Sequence, residues 1–194
     1  MSRRACLTVL LLLSLLLSGC TAPEQVVPPE ELGGAATPVS AVTALEHAAA
    51  WADEHWRTGS EALLVSGIET ASSGDPVEGR PGTWQVFLWH PGTNETRTVT
   101  VVGDGEEVRG RNASKPTNEP TPLGSWSVDS PEAIQAGRAN ATFQAAAEAE
   151  DGAVAMTLGT RDQGPVWELF ARSRSQGLTV WVSVDARTGE LLDR

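Results

Sequence analysis

Trp84-Gln85-Val86-Phe87 and Trp167-Glu168-Leu169-Phe170 are the two stretches on which the reading of this chain turns. They lie 83 residues apart (84 to 167). At the same spacing Val99 meets Val182, Val101 meets Val184, Glu107 meets Glu190 and Val108 meets Leu191. Upstream, Leu64, Ser66 and Ile68 fall against Val154, Met156 and Leu158 at a spacing of 90, which makes the following loop shorter in the second copy. Alternating valines match one another easily. Aromatic pairs in register do not, so the chain reads as an internal duplication.

Each copy reads as a helix followed by three strands. Ser40 is placed to cap a first helix running to about Thr58. Val42, Leu45, Ala49, Ala52 and Trp56 recur every three or four residues and so share a face. In the second copy Ser130 before Pro131 reads as a cap with proline at the first helical position. Gly137 and Asn140 interrupt that helix, and Asn140 can cap a short one containing Phe143 and Ala147. The strands alternate, with Val86 and Leu88, Val99 and Val101, Leu169 and Ala171, and Val180, Val182 and Val184 each on one face. Turns fall at Asp104-Gly105 and at Asp185 to Gly189. The expected fold class is therefore α+β: two tandem helix-plus-three-stranded antiparallel modules, packed together.

The N-terminus carries an address. Arg3 and Arg4 precede an apolar stretch from Ala5 to Leu17, which is too short to span a bilayer, since that takes about 20 residues. It has the form of a secretory signal core. Leu17-Ser18-Gly19-Cys20 resembles the lipobox of bacterial lipoproteins. The resemblance implies cleavage before Cys20, a diacylglyceryl thioether on that cysteine, and a chain held at the cell or outer membrane, facing the periplasm or exterior. Cys6 would leave with residues 1–19, so Cys20 becomes the one cysteine and no internal disulfide is available. The formal charge of −11 becomes −13 once Arg3 and Arg4 are gone. So acidic a chain repels nucleic acid and anionic headgroups, which leaves the acyl chains as the membrane attachment. Residues 20–39, rich in proline and glutamate, read as a tether. The first module spans 40–110, a linker 111–125, and the second module 126–194.

Val182-Ser-Val184-Asp185-Ala-Arg-Thr188-Gly189-Glu190-Leu-Leu resembles the terminal hairpin of PepSY-type domains, and Ser127 to Ile134 resembles the start of their helix. The likeness covers 126–194 and is weak over 40–110, where Gly103-Asp-Gly-Glu106 departs from the turn pattern. It implies an extracytoplasmic α+β module of the kind proposed to restrain peptidases, with no catalytic residues.

No nucleophile elbow, His-Glu-x-x-His pair or phosphate loop occurs, and the anchor takes the mature thiol. His47 and Glu54 could share a helix side, but His55 points about 100° away from its neighbour Glu54, which favours a solvated face over a metal site. Neither a cofactor nor a metal is expected. The seven tryptophans stand out in a chain without tyrosine. Trp56, Trp84 and Trp167 fit core positions. Trp51, Trp89 and Trp181 either anchor a partner or fill the seam between the copies. The expectation is a non-enzymatic envelope lipoprotein that binds a protein. The alternative is a small-molecule or metal binder, or a hydrolase, on which several of His47, Glu54, His55, Asp104 and Asp185 would converge.

Overall fold

The computed structural model describes residues 36–71, 75–111 and 114–192. The signal segment, Cys20 and the tether to residue 35 lie outside them. Eight strands, β1 (Glu61–Thr70), β2 (Thr83–His90), β3 (Glu95–Val102), β4 (Glu107–Gly110), β5 (Ala153–Arg161), β6 (Gly164–Ser173), β7 (Leu178–Asp185) and β8 (Leu191–Leu192), pair in the order β4-β3-β2-β1-β5-β6-β7-β8. All neighbours are antiparallel. Helices α1 (Ala41–His55), α2 (Ser130–Gly137) and α3 (Ala141–Ala147) pack on one face of this sheet.

This corrects the expectation of two helix-plus-three-stranded modules. Strands β1 and β5 hydrogen-bond to each other from Val65↔Leu158 to Thr70↔Ala153, so the halves share one sheet and one core. Each half also adds a short fourth strand, β4 or β8.

The repeat survives inside the single sheet. Val86 pairs with Val99 as Leu169 pairs with Val182, which keeps the 83-residue spacing. The first strand needs a different one. Trp84 pairs with Gly67 and Trp167 with Leu158, so β1 maps onto β5 at 91 residues rather than 90. Because side chains alternate, that single step reverses the face. Val65 and Gly67 join the core, whereas Leu64 and Ser66 are only partly buried on the other side and Ile68 is exposed there.

The two indoles fix the helices to the sheet. Trp84 donates its Nε1–H to the Val39 carbonyl at 2.9 Å, and Trp167 donates to the Val128 carbonyl at 2.8 Å. Both acceptors sit one residue before a helix cap, Ser40 in one half and Asp129 in the other. Val39 is buried, so the fold begins inside the segment expected as tether. Asp129, not Ser130, caps α2. Ser130 is its first residue, and its Oγ accepts the Ala41 N–H at 2.9 Å. Asp129 Oδ1 accepts from Ser130 N–H and from Val42 N–H, which places one carboxylate at two helix N-termini, where negative charge is favoured. Asn140 caps α3 through the N–H groups of Thr142 and Phe143, as expected.

The buried face of α1 also differs from expectation. It is an alanine stripe, Ala41, Ala44, Ala48 and Ala52, while Val42 is exposed and Leu45 only partly buried. The fully buried Trp84 and Trp167 supply volume to the shared core, so methyl groups suffice on α1.

The loop after β1 binds the halves further. Glu69 accepts the N–H groups of Glu78, Gly79 and Arg80 at 2.9, 2.6 and 2.7 Å. Gly79 has φ +84°, and a Cβ there would come within 2.5 Å of the Ser130 carbonyl oxygen. Arg138, just past α2, donates from Nη2 to the Val77 carbonyl at 2.7 Å. In the second half the same connection is the tight turn 162–163.

Trp84→Phe and Trp167→Phe should each destabilise the protein by about 1–3 kcal/mol, from the orphaned buried carbonyl and the lost ring volume. Both should shift one common urea transition. Two separable transitions, each responding to only one variant, would show that the halves fold independently.

Candidate functional site

The face of the sheet opposite the helices carries the side chains that point away from the core. Its central row runs across six strands: Thr100, Gln85, Ser66, Thr157, Glu168 and Ser183. Ser66 Oγ and Thr157 Oγ1 lie 3.2 Å apart where the local two-fold passes through the sheet. Ser183 donates its hydroxyl to Glu168 at 3.2 Å, and Arg161 pairs with the same carboxylate.

Beside this polar row lies an apolar one, Ile68, Ala155, Phe170 and Trp181. Ile68 is 66 % exposed and Trp181 50 %. The Phe170 and Trp181 rings sit 4.6 Å apart at 51°. On the other side of the axis the matching row is Thr98, Phe87 and Leu64, all partly buried. The apolar row is thus concentrated in the second half.

Of the three tryptophans expected at an interface, the structure places one there, Trp181. Trp89 points to the same side of the sheet but is only 4 % exposed, and its indole donates to Asn94 Oδ1. Its neighbours across the strands are Thr96 and Glu61. The linker ties down that end of the sheet: Ser114 bridges Thr96, Leu123 N–H donates to the Ala62 carbonyl, and the Thr160 hydroxyl donates to the Pro122 carbonyl. Trp51 lies on the helix side, so close to Gly110 that any Cβ there would collide with its ring. Sequence reasoning missed Phe170 and Ile68 as surface residues. Their signal is parity, since each is one step out of phase with a core residue, Leu169 or Gly67.

The ionisable candidates do not converge. His47 bonds Asp104 at 3.0 Å across the turn before β4, and His55 lies 3.8 Å from its neighbour Glu54. Among the described residues no group of three or more His, Cys, Asp or Glu is placed to hold a metal ion. Asp185 is occupied by its own turn. Its Oδ1 accepts from Arg187 N–H at 2.8 Å and Thr188 N–H at 3.1 Å, and Gly189 closes the turn with φ +76°. Those backbone donors, chiefly Arg187, hold its carboxyl below the ordinary range.

A groove of ≈ 360 Å³ opens between α1 and the linker. Leu45, Ala49, Leu88, Leu123 and Trp126 line it, with Ser60 and Glu61 as its polar residues. It holds no constellation for bond-making chemistry.

No protein-family model, curated protein or solved structure matches this chain. Among the described residues no helix is long and apolar enough to cross a membrane.

One further electrostatic feature shapes the rim of the apolar row. Asp151 accepts from the Ser173 and Ser175 hydroxyls, each at 2.7 Å, and from the N–H groups of Ser175 and Arg174 at 2.8 and 3.0 Å. It thereby pins the hairpin that leads to Trp181. These donors, the Ser175 hydroxyl first, hold its carboxyl far below the usual carboxylate range. A depressed folded-state value means stability that is present above the unfolded value of about 3.9 and lost as pH falls below it. Asp151→Asn should therefore lower Tm at pH 7, and the gap from wild type should narrow steadily below about pH 4. A gap constant from pH 7 to pH 2.5 would contradict this assignment.

Proposed function

We propose that this is a lipid-anchored envelope protein, held through Cys20, that docks a protein partner on the helix-free face of its sheet and performs no bond chemistry of its own. The observation that carries the reading is the row Ile68–Ala155–Phe170–Trp181. The fold covers one face of the sheet with three helices and leaves an indole half exposed on the other, on β7 near the margin of the sheet. A rigid strand holds that indole, so little side-chain entropy is lost when a partner covers it. The polar row alongside, with Ser66 bonded to Thr157 and Glu168 to Ser183 and Arg161, bounds the apolar row on one side.

The PepSY-like hairpin from Val182 to Leu192 supports a peptidase as the partner. Its Asp185, Thr188 and Gly189 serve the turn, which leaves the neighbouring strand β7 to present Trp181. The lipobox-like Leu17 to Cys20 supports the anchor.

A photo-crosslinking residue in the full-length chain at the exposed position 179, two residues from Trp181 on the same face of β7, should capture an envelope protein, and one at the buried position 89 should not. Trp181→Ala should weaken recovery of that partner about thirtyfold, the loss of roughly 2 kcal/mol expected of a central aromatic anchor. Equal capture from both positions would remove the basis for this face. Separately, Cys20→Ala should abolish incorporation of a labelled fatty acid and release the protein from the membrane fraction; retained labelling would refute the anchor.

A further inference from the structure

On the helix side, where α1 ends, Arg97 rises from β3 between two indoles. Its guanidinium carbon is 5.8 Å from the centre of the Trp51 ring and 5.3 Å from that of Trp56. Trp51 stacks on His55, with centroids 5.4 Å apart and planes 9° from parallel. Trp56 meets His90 edge-on at 6.4 Å. Four rings and one guanidinium therefore form a continuous wall.

The cation in this wall is unusual in its partners. Its Nε is buried and makes no hydrogen bond, and among the described residues no carboxylate lies within ion-pair distance of it. Arg138, the other arginine largely shielded from solvent, also has a buried Nε without a hydrogen bond. Its Nη atoms, however, bond the Val77 carbonyl and Gln135, and Glu148 lies within ion-pair distance, whereas among the described residues Arg97 has neither. The indole faces stabilise the Arg97 charge but leave its hydrogen-bonding edge unfilled.

The fold itself does not ask for an arginine here. Leu88 pairs with Arg97 as Ala171 pairs with Val180, so the second half carries valine at the equivalent place, packed against the core. His90 corresponds in the same way to Ser173. One half thus fills the position with a hydrocarbon, and the other builds a guanidinium clasp from the same backbone.

A planar fork takes a carboxylate or phosphate through two parallel charge-assisted bonds. A chain of net charge −11 opposes a dianion more than a monoanion, and the flanking surfaces are aromatic. We propose that Arg97, set between Trp51 and Trp56, anchors a binding site for an organic carboxylate with an aromatic or apolar body. The carboxylate takes the Nη1–Nη2 edge of the guanidinium, since Nε is closed to solvent, and the body lies against the partly exposed Trp56 and the outer face of His55. This site is on the opposite side of the sheet from Trp181 and does not depend on the partner-docking reading.

The test uses the full-length chain, indole N–H resonances as reporters, and benzoate as probe. Benzoate should shift the Trp51 and Trp56 signals saturably, while benzamide, of the same shape without charge, should not. Arg97→Val, which installs the residue of the other half and should preserve the fold, is expected to weaken benzoate roughly tenfold or more, as should Arg97→Lys, which keeps charge but loses the fork. Unchanged signals from the remaining indoles would show each variant folded. The proposal is overturned if benzoate moves neither indole, if benzamide acts equally, or if binding survives in Arg97→Val. A response to inorganic phosphate with none to benzoate would overturn the organic carboxylate as ligand.

Discussion

The pairing of β1 with β5 is the constraint on which the rest of this structure depends. Each half alone would leave a first strand with one bare edge. Joined along Val65 to Thr70 and Ala153 to Leu158, those two edges satisfy each other's backbone groups and vanish. The pairing also decides which way each half faces. It brings Val65 and Gly67 to the same side as Met156 and Leu158, so the helices of both halves must settle on one face. Their N-termini then meet, and the Asp129 carboxylate serves both. The bare opposite face, with its polar row and aromatic row, follows from the same event.

Within that frame the two indoles act as spacers as much as anchors. Trp84 and Trp167 fill the volume between sheet and helix starts, and each N–H meets the carbonyl preceding a helix cap. The bulk below permits alanines above. Gly67 belongs to the same arrangement, because a Cβ there would approach the Trp84 ring to 2.8 Å. A glycine in the middle of β1 is a core residue whose side chain is supplied by its neighbour.

That substitution of one residue's volume for another's explains where sequence reading succeeds and where it stops. The strands β2, β3, β6 and β7 are legible because valine, leucine and tryptophan alternate cleanly on them. Strand β1 is not. Gly67 hides a core position, Ala62 to Val65 is apolar on both parities, and the register shifts between Ala62 and Leu64. Ile68 then looks like the inward residue when it is the most exposed large hydrophobic among those described. Alternation also states faces without naming partners, so nothing local reveals that β1 meets a strand some 90 residues away. The same limit hides the candidate sites. Trp181 is legible as an outward residue of a sheet, but the shielding of Trp89 depends on where the linker runs. The clasp around Arg97 depends on α1 ending above β3.

The β1–β5 seam has a temporal side. Ribosomes extend a chain at about 5–20 residues per second, so the partner of Val65 emerges roughly 5–20 s after it. Throughout that interval the β1 segment has no partner for its β5 edge, and nothing local can cover it. Glu61 and Glu69, charged residues on that same strand, resist its pairing with a neighbouring chain. The wait ends only when the second half arrives, so the symmetry that makes the finished sheet seamless leaves its beginning the most exposed moment of its assembly.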